Sequence, residues 1–155
     1  MAKKMALIAT KGTLDMAYPP FILASTAAAL GWEVQIFFTF YGLQLLRKNL
    51  KSIKISPLAN PAMPMPVPMP VFVQMLPGME SMATMMMKQK MKSKGVASLT
   101  ELRDLCQEAE VKFVACQMTV DLFEFQKSDF IDNIEYGGAA TFMKFAGESD
   151  VCLFI

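Results

Sequence analysis

From Met5 to Lys48 the chain runs twice through the same unit, a short apolar run followed by a segment with helical signals. Met5-Ala6-Leu7-Ile8-Ala9 is closed by Thr10-Lys11-Gly12-Thr13, a turn of the kind that carries a strand into a helix. Thr13 or Asp15 can cap that helix, and Pro19 and Pro20 are expected in or near its first turn, where a missing N–H costs nothing. The helix, read as about Met16–Leu30, is rich in alanine and stops at Gly31. Glu33–Phe38 reads as a second strand, and Phe40-Tyr41-Gly42 leads into a helix at about Leu43–Lys48. A helical crossover returns the chain to the same end of the sheet, so strands joined this way run parallel. That rhythm narrows the fold to α/β.

The rhythm returns after the middle of the chain. Ser98-Leu99-Thr100-Glu101 has the form of a capping box, with Ser98 at the N-cap and Glu101 three residues on. Its helix runs to about Glu110, with Leu102, Leu105, Cys106 and Ala109 spaced as one apolar face. Val111–Cys116 then reads as a strand, Met118–Phe125 as a short helix, and Ile131–Ile134 as a weak strand or loop. Gly138–Ala146 reads as a helix and Val151–Ile155 as a terminal strand. The sum is an open parallel sheet of about five strands with flanking helices, a single domain over 1–155, with an insertion at about 57–94.

The insertion breaks the pattern: seven of the nine prolines and ten of the fifteen methionines lie within 57–91. Ala62–Pro70 reads as extended, polyproline-like chain and Val71–Leu76 as a strand. Two uncharged stretches invite a membrane reading. The one between Asp15 and Glu33 holds 17 residues and contains Pro19-Pro20, which suits a buried helix better. The other, of 25 residues between Lys54 and Glu80, carries seven prolines, which no spanning helix tolerates. Neither is a span.

Composition removes much of the chemistry a 155-residue α/β chain can host. There are 0 histidines, so no Ser-His-Asp triad, Cys-His pair or imidazole metal site exists within one chain. Lys+Arg 15 against Asp+Glu 14 gives none of the basic excess that phosphate neutralisation requires, which argues against a nucleic-acid partner. No GxGxxG or P-loop is present. Three cysteines without CxxC or paired zinc spacing suit a reducing cytoplasm and hold no metal. The start, Met1-Ala2-Lys3-Lys4, passes directly into a strand and lacks a leader's cleavage pattern.

Cys116 is delivered by the apolar run Lys112–Ala115 to the point where a helix begins, and helix N-termini favour thiolate over thiol. The bland alternative is a small buried hydrophobe, common for free cysteine. Cys106 lies four residues after Leu102 on a helix, a core position unless that helix end abuts the Cys116 loop. Cys152 alternates within the last strand and reads as core.

Several segments, taken in order and spacing, resemble one known family over nearly the whole chain. They are Lys11-Gly12-Thr13-Leu14-Asp15-Met16-Ala17-Tyr18-Pro19, Phe37-Phe38-Thr39-Phe40-Tyr41-Gly42-Leu43, Ala62-Met63-Pro64, Met75-Leu76-Pro77-Gly78-Met79, Ala115-Cys116-Gln117-Met118 and Gly137-Gly138-Ala139-Ala140-Thr141-Phe142. The resemblance is to the DsrE/DsrF-like family, in its larger branch with a Met/Pro-rich insertion, often labelled DsrE family or peroxiredoxin family. It implies a three-layer sandwich, an oligomer and cytoplasmic sulfur trafficking, with Cys116 matching the persulfide-carrying cysteine. Cys106 resembles the branch's second cysteine, although helix register alone also explains it. Peroxidase chemistry has no support, because it needs Thr and Arg beside the thiol and the only arginines are Arg47 and Arg103.

The expected function is that of a sulfur carrier or sulfurtransferase. Cys116 would take sulfane sulfur or a thiosulfonate from a donor protein and pass it to an acceptor thiol, without a cofactor. Backbone N–H groups of Gln117, Met118 and Thr119, with those of Gly12 and Thr13, are candidates to hold the terminal anion, and Lys11 to assist electrostatically. The alternative is an adaptor whose working surface is Gly78–Lys94. That segment carries six methionines, and Lys88, Lys90, Lys92 and Lys94 cluster at its end, which suits an anionic membrane surface or a partner groove.

Overall fold

The computed structural model describes residues 1–55, 72 and 75–155. The extended stretch expected at Ala62–Pro70 lies outside the described residues, as do Val71, Val73 and Gln74 of the strand expected at Val71–Leu76; the other three, Phe72, Met75 and Leu76, are not in a strand. Strands β1 (Lys4–Ala9), β2 (Glu33–Phe38), β3 (Lys112–Cys116), β4 (Glu135–Gly137) and β5 (Val151–Phe154) form one sheet in the order β4-β3-β2-β1-β5, with every pair parallel. The helices are α1 (Leu14–Ala29), α2 (Met79–Ser93), α3 (Leu99–Glu108), α4 (Gln117–Leu122) and α5 (Ala139–Ala146). The helix expected at Leu43–Lys48 is instead a 3₁₀ turn over Phe40–Leu46. Ile131–Ile134, expected as a weak strand or loop, is loop, and a strand forms just beyond it as β4.

Alternation along each strand separates two cores. Leu7, Ile36, Phe38, Phe113 and Ala115 face α1 and α3, where Phe21, Phe38 and Phe113 pack ring against ring. Ala6, Phe37, Val114 and Cys116 face the opposite side, which α5 covers by stacking Phe142 on Phe37 with centroids 5.2 Å apart. Burial on both faces explains why the central strands read as continuous apolar runs.

Two glycines fix how the chain turns. Gly31, at φ 81°, ends α1: its N–H reaches the Ala28 carbonyl, and the Trp32 N–H reaches Ala27. This pair of hydrogen bonds to the last helical carbonyls needs a left-handed residue, which glycine supplies without a steric cost. Gly42 seats the 3₁₀ turn on the end of β1, where a Cβ would stand 2.1 Å from the Ala9 carbonyl oxygen. Any side chain there must push the turn off the strand. Gly42→Ala is therefore expected to lose about 2–3 kcal/mol, a Tm drop of roughly 5–10 °C on thermal denaturation; an unchanged Tm would contradict this reading.

Three expectations are corrected. Pro19 and Pro20 lie in the second turn of α1, because the helix already begins at Leu14. The lost backbone bonds are tolerated where the rings pack, and Pro20 is fully buried. On α3 the inward residues are Leu99, Arg103 and Cys106, whereas Leu105 is 49% exposed and Ala109 is also exposed. Arg103 turns inward because the 3₁₀ turn leaves carbonyls without partners: its Nη1 donates to Leu45 O at 3.0 Å and to Arg47 O at 2.6 Å. Cys152 is exposed, because β5 is an edge strand that no helix covers at this residue. The capping box stands as expected, with Glu101 N–H donating to Ser98 Oγ and Ser98 N–H to Glu101 Oε2.

Helix α2 rests on the body by one side. Ala83, Met87 and Met91 pack against the larger core, and the buried Thr84 hydroxyl accepts the Ile55 N–H at 2.9 Å. Met82, Met85 and Met86 are exposed. Among the described residues, no helix is long and apolar enough to cross a membrane.

Candidate functional site

Cys116 is the last residue of β3 and the N-cap of α4, and only 4% of it is exposed. Parallel register supplies its neighbour: pairing of Phe38 with Ala115 sets Thr39, the first residue past β2, beside Cys116. Thr119, fully buried in α4, brings a second hydroxyl, 3.2 Å from that of Thr39. The Thr119 oxygen also accepts the Phe40 N–H at 3.2 Å. Phe40 adopts a left-handed backbone (φ 48°), an unfavourable conformation for a bulky residue, and this aims its N–H at the hydroxyl.

These groups decide the charge of the sulfur. Burial alone would push the Cys116 thiol up, but hydrogen bonds from the Thr119 hydroxyl and N–H, the Thr39 hydroxyl and the Met118 N–H prevail. The thiol is held below its ordinary value, so a larger share is thiolate at neutral pH. Thr39 is the functional residue that sequence reasoning missed. Its one signal was a threonine directly after an expected strand.

The other candidate residues fall into three places. Met118 and Thr119 accompany Cys116, with Met118 60% exposed, while the Gln117 side chain is engaged with Asp121 at 2.7 Å. Lys11, Gly12 and Thr13 line a cavity of about 450 Å³ together with Asp15, Met16, Tyr41 and Gln44. Cys116 is not among its lining residues, and the 3₁₀ turn that carries Tyr41 also carries Phe40, on the Cys116 side. Cys106 is not brought to Cys116: it belongs to the core on the opposite face of the sheet, fully buried, with its S–H directed at the Phe21 carbonyl, 3.3 Å away. Burial pushes its thiol up to about 12, so it is protonated at neutral pH. Neither arginine serves the thiol, since Arg47 lies over the Phe125 ring and Arg103 caps the 3₁₀ turn. Among the described residues, no cluster of three or more Cys, Asp or Glu side chains could hold a metal ion.

A parallel α/β sheet presenting a thiolate-prone cysteine at the carboxyl end of an inner strand is the class of protein that fold and site define. The chain belongs to the DsrE/DsrF/DrsH-like family, whose profile matches residues 1–154. It is 69% identical, over 99% of its length and 98% of the relative's, to the sulfur carrier protein DsrE2 of Allochromatium vinosum. It is 34% identical to the uncharacterized protein YrkE of Bacillus subtilis, over 99% of this chain and 97% of that one. Among solved structures, the YchN protein of Escherichia coli shares the fold at a TM-score of 0.58 and 10% identity, covering 99% of both chains.

Proposed function

We propose that this chain is a cytoplasmic sulfur carrier that holds sulfane sulfur or a thiosulfonate on Cys116 and passes it between donor and acceptor thiols. The observation that carries the reading is the hydrogen-bonded, charge-favouring setting of Cys116 at the carboxyl end of β3. Near-complete alignment at 69% identity with a protein named as a sulfur carrier supports it. Exchange at sulfur needs a thiolate, a leaving thiolate and access, and no histidine. Cys106 then serves packing rather than transfer. The cavity at Lys11–Thr13 is a seat for the body of a donor or acceptor, beside rather than at the reacting sulfur. Incubation with polysulfide or tetrathionate should add about 32 Da or about 112 Da, respectively, by intact mass, and peptide mapping should locate the adduct on Cys116. No adduct, or one confined to another cysteine, would sink the reading.

Two surfaces suit partners beyond the sulfur donor and acceptor. Ile22 and Leu23 on α1 and Leu30 at its C-cap, with Leu153 and Phe154 on the β5 edge, are exposed apolar groups that a second copy of a single-domain chain would cover. The exposed Met82, Met85 and Met86 on α2, with Lys88, Lys90, Lys92 and Lys94 also exposed, suit an anionic membrane surface. Each lysine near such a surface gains about 1 kcal/mol. Sedimentation should therefore show an oligomer, and flotation with anionic vesicles should show binding that salt and neutralisation of the four lysines weaken; a monomer that ignores the vesicles would remove both assignments.

A further inference from the structure

We propose that Thr39 and Thr119 act on the departing sulfur: their hydroxyls hold Cys116 Sγ as it leaves, so that the site is built to release its cargo. This rests on the reading of Cys116 as the carrier and says which half of the transfer the site favours. The polar atoms make the argument. The Thr119 oxygen already receives the Phe40 N–H, so its own proton is left for Cys116 Sγ or for Thr39, 3.2 Å away. A thiolate accepts a hydrogen bond from each hydroxyl. A neutral thiol would have to donate one itself, and the two hydroxyls would then compete for each other. The arrangement is satisfied best when negative charge sits on Sγ, and Thr119, fully buried, has no water to turn to instead.

Loading changes where the charge is. In Cys116–Sγ–SδH the ionisable sulfur is the outer one, and Sγ becomes a neutral, weak acceptor that gains little from the hydroxyls. On transfer, an acceptor thiolate RS⁻ attacks Sδ, an RS–Sδ bond forms, the Sγ–Sδ bond breaks, and its electron pair stays on Sγ. The products are RS–SδH and the Cys116 thiolate, with the proton retained on Sδ and no net oxidation. Charge therefore grows on Sγ, where the two hydroxyls are aimed, and they bind the transition state better than the loaded state. In the reverse direction the thiolate must surrender those bonds as it attacks, which costs nucleophilicity.

The test compares loading and unloading in the full-length chain carrying Thr39→Val, Thr39→Ser or Thr119→Val. Polysulfide loads the protein and a small thiol unloads it, both at neutral pH, with each rate divided by the thiolate fraction of the attacking thiol. For each unit that the thiol pKa rises, unloading should slow about threefold while loading per thiolate quickens by about the same factor. Thr39→Ser should behave as the parent does. Thr39 is only partly buried, so its valine variant keeps the test alive if Thr119→Val fails to fold. Two rates that fall together, or neither changing, would overturn the proposal. Alkylation of Cys116 across pH separates it from the carrier reading. A profile displaced to higher pH in Thr39→Val, with no sulfur loaded on any variant, refutes the carrier and leaves the hydroxyl pair. An undisplaced profile refutes the hydroxyl pair whatever loading shows.

Discussion

Sulfur loading is expected to be lost in Cys116→Ser and retained in Cys106→Ser. A serine hydroxyl stays protonated in water, so the first variant has no anionic nucleophile at the end of β3. The second removes a thiol that is fully buried, directed at the Phe21 carbonyl and pushed up to about 12. At neutral pH the thiolate fraction of such a group is on the order of one in 10⁵ before access is considered. The comparison belongs in a Cys152→Ser background, because Cys152 is exposed and open to reagents whatever its role. Intact mass after polysulfide treatment reads the outcome. Undiminished loading of the Cys116 variant in that background would remove the thiol from the mechanism, and loss of loading in Cys106→Ser with an intact fold would restore Cys106 to it.

The same buried thiol makes stability fall in alkali. Burial favours the neutral form of Cys106, raising its folded value from 9.0 to about 12. Below 9.0 the thiol is protonated in both states, and its contribution to stability is fully present. As pH rises above that, the unfolded chain ionises while the folded chain holds its proton, so the contribution is progressively lost up to about 12. The shift corresponds to at most roughly 4 kcal/mol, since each pKa unit is about 1.4 kcal/mol. Tyr18, raised by burial and then by Glu101, acts in the same direction. Urea midpoints measured between neutral and strongly alkaline pH should fall steeply for the parent and less for Cys106→Ala. Equal slopes for the two proteins would refute the assignment.

What could be read from the sequence, and what could not, divides along the range of the interactions. The strands, the Gly31 stop and the capping box rest on local chemistry visible in a few adjacent residues, and the parallel arrangement follows from the alternation of strands with helices. Cys116 was legible for the same reason, as a thiol between an apolar run and a helix start. Thr39 was not, because it reaches Cys116 only through the register of β2 on β3, which no run of neighbouring residues encodes. Arg103 was misread for a related cause. Helical spacing marked Leu105 and Ala109 as inward, but the carbonyls left free by the 3₁₀ turn drew the guanidinium in and set the rotation of α3. Cys152 followed its alternation correctly onto one face of the sheet, yet that face is bare at the edge strand.

The footing of α2 separates the molecule into two levels of local stability. Among the described residues the helix is joined to the body by three half-buried apolar side chains, one buried hydroxyl, the Lys88 ammonium donating to the Lys51 carbonyl at 3.3 Å and the exposed Lys54–Glu80 pair at 3.8 Å. The central strands β1, β2 and β3, in contrast, are covered on both faces. Amide exchange from α2 should then proceed by a low-energy opening, while β1, β2 and β3 exchange only when the whole domain unfolds. A helix that can lift away without unsettling the sheet can grip and release a surface many times over, while the thiol and its two threonines keep their geometry throughout.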